Sequence, residues 1–290
     1  MLIVGCGDVG RKIAVRALAS GTPVQCLVRS QESADALGRL GLSAKSIDLD
    51  TDTGFPAPDT AHDHSRIFYL APPPASGTED PRMRRFLNTL PGAAQQRIVY
   101  ISTSGVYGDC QGDWIDEQRP PNPQVDRARR RRDAEQQLLA WRARGRREAV
   151  ILRVAGIYGP GKLPLERIKR QVPMIGEDQA PWTNRIHIDD LVNVCEAAMT
   201  RGVDGEVYNV SDGSPGNMRD YFDRVADQFG LPHPPLISLA EASTTLSQGL
   251  LSYLGESRRL DNRKMLEELG VTLRHPNLIS GLAACVDNAG

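Results

Sequence analysis

The 290-residue chain has no excess of one charge: 35 lysines and arginines face 36 aspartates and glutamates, for a formal net charge of −1. No global field therefore draws it to nucleic acid or to a membrane. Long hydrophobic runs are missing too. The longest are strand-sized, so no stretch reads as a bilayer span. The N-terminus enters a strand at once, without the charged region and cleavage site of a secretory leader, and a cytoplasmic location is expected. Five cysteines, Cys6, Cys26, Cys110, Cys195 and Cys285, lie scattered without a Cys-x-x-Cys pair. Free, reduced thiols are expected, and no metal centre.

What is present is an alternation of strand and helix patterns over the first half. Short apolar strands are expected at Leu2 to Val4, Val24 to Val28, up to Leu49, Arg66 to Ala71, Arg97 to Ser102 and Val150 to Val154. Helices are expected at Arg11 to Ser20, Glu32 to Leu40, Pro81 to Leu90 and Gln124 to Arg144. Strands separated by helices imply parallel β-α-β units, hence an α/β fold with a doubly wound parallel Rossmann sheet. Beyond Gly159 the texture changes to Pro- and Gly-rich loops with short helices. Asp189 to Thr200, Arg219 to Gly230 and Asn262 to Leu269 read as helices, and Val207 to Val210 as a strand returning to the sheet. The expected division is a Rossmann domain over 1–160 with returning segments at about 183–212. A smaller C-terminal substrate lobe would take about 161–182 and 213–290. With 40% hydrophobic residues, the chain can bury a core of this size.

The turn Gly5-Cys6-Gly7-Asp8-Val9-Gly10 sits between the first strand and the first helix. Gly5 permits a tight turn, Gly7 lets the backbone approach a pyrophosphate, and Gly10 lets helix and strand pack closely. The phosphates would rest on the helix N-terminus, where free N–H groups and the dipole favour an anion. A nicotinamide dinucleotide is the expected cofactor. The second strand ends in Arg29-Ser30 rather than in the acid that usually binds the ribose hydroxyls of NAD. Arg29, with Arg11 nearby, suits a 2′-phosphate, so NADP is preferred over NAD. Asp48 and Leu49 are placed to touch the adenine. Leu70, Ala71 and Pro72 would line its ribose.

Four further segments carry a resemblance: Val99-Tyr100-Ile101-Ser102-Thr103-Ser104-Gly105-Val106-Tyr107-Gly108, Leu152 to Gly161, Arg185-Ile186-His187-Ile188-Asp189-Asp190-Leu191, and Val207 to Ser211. With the N-terminal turn, in this order and spacing, the chain resembles the extended short-chain dehydrogenase/reductases of the NAD-dependent epimerase/dehydratase superfamily. The family's glycine pattern begins one residue earlier, where this chain has Val4, a departure typical of an atypical, YeeZ-like subgroup. The resemblance implies an oxidoreductase or epimerase-like enzyme with a small-molecule substrate, a small polar metabolite or sugar nucleotide, and a monomer or homodimer. It implies Thr103 as the hydroxyl residue at the substrate oxygen. Ser102, Val154 and Ala155 would lie beside the cofactor, and Ser104, Tyr107, Tyr158 and Arg185 at the substrate.

The family's Tyr-x-x-x-Lys pair is missing. Glu135 matches the acid that follows the pair, which puts Arg131 at the Lys position and Arg127 at the Tyr position. No tyrosine lies between Tyr107 and Tyr158, and no lysine between Lys45 and Lys162. The literal Tyr158-Gly159-Pro160-Gly161-Lys162 cannot form the required helix face, because Pro and Gly break helices. Arginine stays protonated and is a poor proton shuttle, though Arg131 could still hold a ribose or phosphate. Three readings stand: a replacement acid such as Tyr107, Tyr158 or His187; an acidic substrate gripped by Arg127; or a catalytically inactive NADP-binding sensor or scaffold.

Other clusters have blander readings. The arginines of 127–132 and 142–147 are expected on a solvated helix face rather than in a nucleic-acid patch. Asp189 and Asp190 are expected to cap a helix. His62 and His64 lack a third metal ligand.

Overall fold

A computed structural model describes residues 1–51, 65–90, 96–145, 147–246 and 248–286. The loop with His62, Asp63 and His64 lies outside the described residues. Seven strands form the central sheet: β1 (Leu2–Val4), β2 (Gln25–Val28), β3 (Ser43–Ser46), β4 (Arg66–Tyr69), β5 (Gln96–Thr103), β6 (Arg147–Val154) and β7 (Val207–Val210). Their order is β7-β6-β5-β4-β1-β2-β3, and every pairing is parallel. The strand order reverses between β1 and β4, which opens a crevice at their carboxyl ends.

The strands β1, β2 and β4 and the centres of β5 and β6 read as apolar runs because both faces are covered, whereas the edge strand β3 is polar and largely exposed. Ile3, Cys26, Val28, Phe68, Val99, Ile101, Val150 and Leu152 join one core with Ile13, Ala14 and Leu191. Those partners come from helices α1 (Asp8–Ala19) and α6 (Ile188–Arg201). Leu2, Val4, Leu27, Ile67, Tyr69, Ile98, Tyr100 and Ile151 face the other way, against Phe86, Leu138 and Trp141. These belong to α3 (Pro81–Thr89) and α4 (Asp126–Arg142), while α2 (Gln31–Gly38) joins β2 to β3. The period-two alternation thus sorts each strand between two helical layers.

Downstream of β6, short strands and small helices replace the regular repeat. Helix α5 (Leu165–Lys169) and helix α7 (Met218–Gln228) enclose a separate apolar cluster of Ile168, Met174, Met218, Tyr221, Phe222, Val225 and Leu282. Helices α8 (Leu239–Thr245) and α9 (Gln248–Leu254) follow, then α10 (Arg263–Leu269) and α11 (Leu278–Val286). Helices α8, α9 and α11 carry no strong sequence pattern and were not expected individually. All five cysteines are free and buried. Among the described residues no helix is long and apolar enough to cross a membrane.

The run of arginines on α4 is not a solvated face. Arg130 is buried and bonds the carbonyl of Gly77, Arg132 pairs with Glu135 at 3.0 Å, and Arg127 and Arg131 face a cleft. Arg129 is the exposed member of the five. Glu135 collects the inward charge.

Candidate functional site

The N-terminal turn has the shape expected of its glycines. Gly5 lies at φ +83°, and a Cβ there would stand 2.5 Å from the backbone of Ala71. A Cβ at Gly10 would meet Ile3 at 3.0 Å and Leu70 at 3.2 Å. Beside Gly7 there is open space out to 4 Å. The backbone of β1 and β4 is therefore locked together while the start of α1 stays open. Gly7 is the N-cap of α1 and makes no side-chain cap, so the free N–H groups point outward. A narrow crevice of about 90 Å³ runs along this edge, lined among others by Gly5, Arg29, Asp48, Leu49, Ala71 and Pro72. These residues come from the ends of four strands, yet they meet at one place. Arg82 closes its far side, held by both carboxylate oxygens of Asp50 at 2.6 and 2.5 Å. Arg29 is exposed and makes no ion pair among the described residues. Ser30 caps α2, accepting from the N–H of Ser33, and Asp48 accepts from the N–H of Asp50 at 2.9 Å. The turn and crevice fit a dinucleotide: glycine clears the approach, the helix start offers donors, and Arg29 stands exposed at the rim.

A wider cleft of about 490 Å³ opens at the carboxyl ends of β5 and β6. Ser102 and Thr103 line it from the end of β5 with Ser104 just beyond, and Val154 from the end of β6 with Ala155 just beyond; Thr103 lies opposite Val154 in the register. The Thr103 hydroxyl accepts from the N–H of Gly105 at 3.2 Å. The Ser102 hydroxyl points inward to Glu135, at 2.6 Å. From α4, Arg131 reaches the carbonyls of Ile101 at 2.9 Å and Ala71 at 3.3 Å, and the Tyr100 hydroxyl at 3.3 Å. It pins the ends of β4 and β5 from the position where the family places a lysine. Arg127, one turn earlier, donates to the Ser252 hydroxyl at 2.7 Å and lies 4.1 Å above the ring of Tyr253.

The opposite wall comes from the later segments. Trp182, Asn184, Arg185, Tyr253, Glu256 and Arg258 line it. Arg185 packs 3.9 Å over Tyr221 and donates to the Asn184 carbonyl at 3.3 Å, while its Nε is buried without a partner among the described residues. Burial pulls its pKa below the ordinary value for arginine. Arg258 pairs with Glu256 at 2.9 Å and bonds the Gly108 carbonyl at 2.6 Å. Four guanidinium groups and one carboxylate thus line one cleft.

The structure does not bring Tyr107, Tyr158 or His187 to this cleft. Tyr107 is buried, its hydroxyl donating to Asn209 at 2.7 Å, and burial raises its pKa to about 12. Tyr158 is also buried, its hydroxyl on the Asn277 carbonyl at 3.3 Å, and Gly281 packs directly on it. Each points into the packing beneath the loop rather than outward. His187, at 1% exposure, packs between Tyr158 and His275. It is His187, not an aspartate, that caps α6, through Nδ1 accepting from the N–H of Asp189 at 3.2 Å. Asp190 is buried and binds the N–H groups of Arg274 and His275. His187, Asp189 and His275 bring potential metal ligands within 4.8 Å of one another. Nδ1 of His187 is used by the cap and Lys12 holds Asp189 at 2.9 Å, while His187 Nε2 and His275 Nδ1 are buried without a partner among the described residues. Trp182, Tyr253, Glu256 and Arg258 were missed from the sequence. They lie in loops and a short helix without a motif, and only the chain's return to the cleft reveals them.

Comparison with known proteins agrees with this architecture. Residues 83–211 match the family model of the NAD dependent epimerase/dehydratase family. Protein YeeZ of Escherichia coli K12 is 23% identical over 282 residues, 95% of this chain and 96% of the relative. Among solved structures, a functionally unknown conserved protein from Silicibacter pomeroyi superposes with a TM-score of 0.86 at 29% identity, covering 99% of this chain and 98% of that one. MoeE5 in complex with UDP-glucose and NAD superposes with a TM-score of 0.76 at 24% identity, covering 99% and 97%. The strand order and these matches show that the chain shares the fold of NAD-dependent epimerase/dehydratase structures, and that its residues 83–211 are similar to that family.

Proposed function

We propose that this chain binds a nicotinamide dinucleotide, with NADP preferred, and acts as an oxidoreductase or epimerase-like enzyme on an anionic small molecule. The single observation that carries the substrate class is the cleft: Arg127, Arg131, Arg185 and Arg258 against Glu256 alone. A guanidinium fork binds carboxylate or phosphate in two parallel hydrogen bonds. The relatives solved with UDP-glucose and UDP-glucuronic acid make a sugar nucleotide the first class to test. The later segments, about 161–182 and 213–290, serve as the substrate lobe.

When bound, the reduced nicotinamide supplies a hydride. This chain's residues must then place the acceptor carbon and deliver a proton. Thr103, at the end of β5, donates a hydrogen bond to the substrate oxygen. Arg131 holds the cofactor edge of the cleft, and Arg127 grips the anion. Tyr253 is the phenol that lines the cleft among the described residues, with the Arg127 cation over its ring. It is assigned as the proton donor that replaces the absent helix tyrosine.

A second reading, an NADP-binding sensor without turnover, is favoured by the arginines at the two positions where the family carries its acid/base pair. One experiment separates them. Oxidation of NADPH is followed against UDP-sugars and small carboxylated or phosphorylated carbonyl compounds, with cofactor affinity measured by calorimetry on the same sample. Turnover lost on Thr103→Ala supports the enzyme. Tight cofactor binding with no turnover across the panel supports the sensor, and no binding of either NADPH or NADH sinks both.

A further inference from the structure

Lys162 stands next to the dinucleotide turn although 154 residues separate it from Asp8. Its Nζ lies 2.5 Å from Asp8 Oδ2. Asp8 is the first residue of α1, directly after the Gly7 N-cap. An acid in the first turn stabilises a helix. Here it also places a negative charge on the surface where a pyrophosphate would rest. That charge repels the ligand unless a cation offsets it.

Three cations surround Asp8. Arg11 lies at 3.7 Å, and Lys12 is already committed to Asp189 at 2.9 Å. Lys162 makes the close contact, and its carboxylate partner is Asp8 alone among the described residues. The loop that carries it is built in place. The N–H of Lys162 closes a turn on the carbonyl of Gly159 at 3.0 Å. Gly159 sits so tightly that a Cβ there would stand 2.7 Å from Ile188. The bridge is half-exposed, with side chains 27% and 53% accessible, so it contributes little to folding. Its contact with Asp8, the residue directly after the uncrowded Gly7 N-cap, indicates a different use.

We propose that Lys162 is a cofactor-binding residue: it neutralises Asp8 and shares its ammonium with the docked pyrophosphate, so that the loop after the strand Gly156–Tyr158 closes the phosphate site. This rests on the dinucleotide reading above. It assigns the lysine of the literal Tyr-x-x-x-Lys sequence to phosphate binding rather than to proton transfer.

Calorimetric titration of the full chain with NADPH, ADP and adenosine tests it. For Lys162→Met, NADPH and ADP should weaken by about tenfold at low salt, and the gap should narrow as salt screens the charges. Adenosine, which lacks phosphate, should bind as before. Lys162→Arg should retain affinity, and adding Asp8→Asn to Lys162→Met should recover part of the loss. Unchanged affinity for NADPH and ADP in Lys162→Met overturns the inference, as does an equal loss for adenosine, which marks a merely structural role. If the wild type binds neither NADPH nor ADP, the dinucleotide reading itself fails.

Discussion

Glu135 and Arg153 form a buried ion pair directly behind the cleft. Arg153 meets the two carboxylate oxygens at 3.2 and 2.9 Å, with side-chain exposures of 3% and 0%. Ser102 and Arg132 complete the shell of the carboxylate, at 2.6 and 3.0 Å. Desolvating two charges is costly, and the cost is repaid only because the hydrogen-bonding capacity is filled. Removing one partner leaves the other buried and uncompensated. Glu135→Ala should therefore cost about 3–5 kcal/mol of stability, read by urea unfolding. Pairing it with Arg153→Met should recover part of that loss. Additive losses would show that the two groups do not act as a pair.

The pair also locates Arg131, which lies one turn before Glu135 on α4. If Arg131 and Arg127 serve binding rather than proton transfer, their effects should fall on affinity. Arg127→Ala should raise KM for an anionic substrate by about tenfold or more, the scale of one charge-assisted hydrogen bond, and leave NADPH affinity unchanged. Tyr253→Phe should instead lower kcat, by about 10²-fold or more for loss of an acid, with KM little moved. The two variants assayed side by side separate gripping from proton donation. Equal turnover in Tyr253→Phe and wild type would remove Tyr253 from the mechanism.

Cofactor choice rests on Arg29 at the end of β2. An exposed guanidinium at the crevice rim, with no ion pair among the described residues, is available to a 2′-phosphate. Arg29→Ala should weaken NADPH by about tenfold or more while NADH binding stays put, measured by calorimetry. Equal affinity for the two cofactors in the wild type would sink the NADP preference. Gly5→Ala makes a stricter test of the turn. It forces a Cβ into the Ala71 backbone at φ +83°, so both cofactors and overall stability should suffer together.

Much of this was legible in the sequence, and the limit has a physical cause. The Gly5–Gly10 turn and the apolar strands β1, β2, β4, β5 and β6 are local patterns, whereas β3 is the polar edge segment Ser43–Ser46. Glycine, short apolar runs and 3.6-residue periodicity encode them within a few residues. Arg131 was placed by counting from Glu135, and the structure puts it in the cleft. The opposite wall is non-local. Tyr253, Glu256 and Arg258 face the cleft only because the chain returns to it after α7, and no local spacing announces that. Tyr107 and Tyr158 show the converse. They stand in the matching motifs, yet strand pleat and loop packing turn both hydroxyls into the interior, onto Asn209 and Asn277. A motif places a residue along the chain, while the direction of its side chain depends on what packs against it.

Asp212 gives the pH prediction. It follows β7, is 5% exposed, and has one carboxylate oxygen buried without a partner among the described residues. Burial raises its pKa from 3.8 to about 7, against the opposing pull of the Ser214 N–H and of Arg185, with Asp190 adding a like charge. The folded chain therefore holds this proton up to about pH 7, while the unfolded chain releases it near 3.8. In that window the folded state binds more protons, so this group's contribution to stability falls as pH rises and its full cost is present above 7. Asp212→Asn keeps an oxygen for the Ser214 N–H and removes the titration. Its melting temperature should match wild type at about pH 4 and exceed it by a few degrees at about pH 8. A variant less stable than wild type at the higher pH would show that attraction to Arg185 outweighs the burial of the charge.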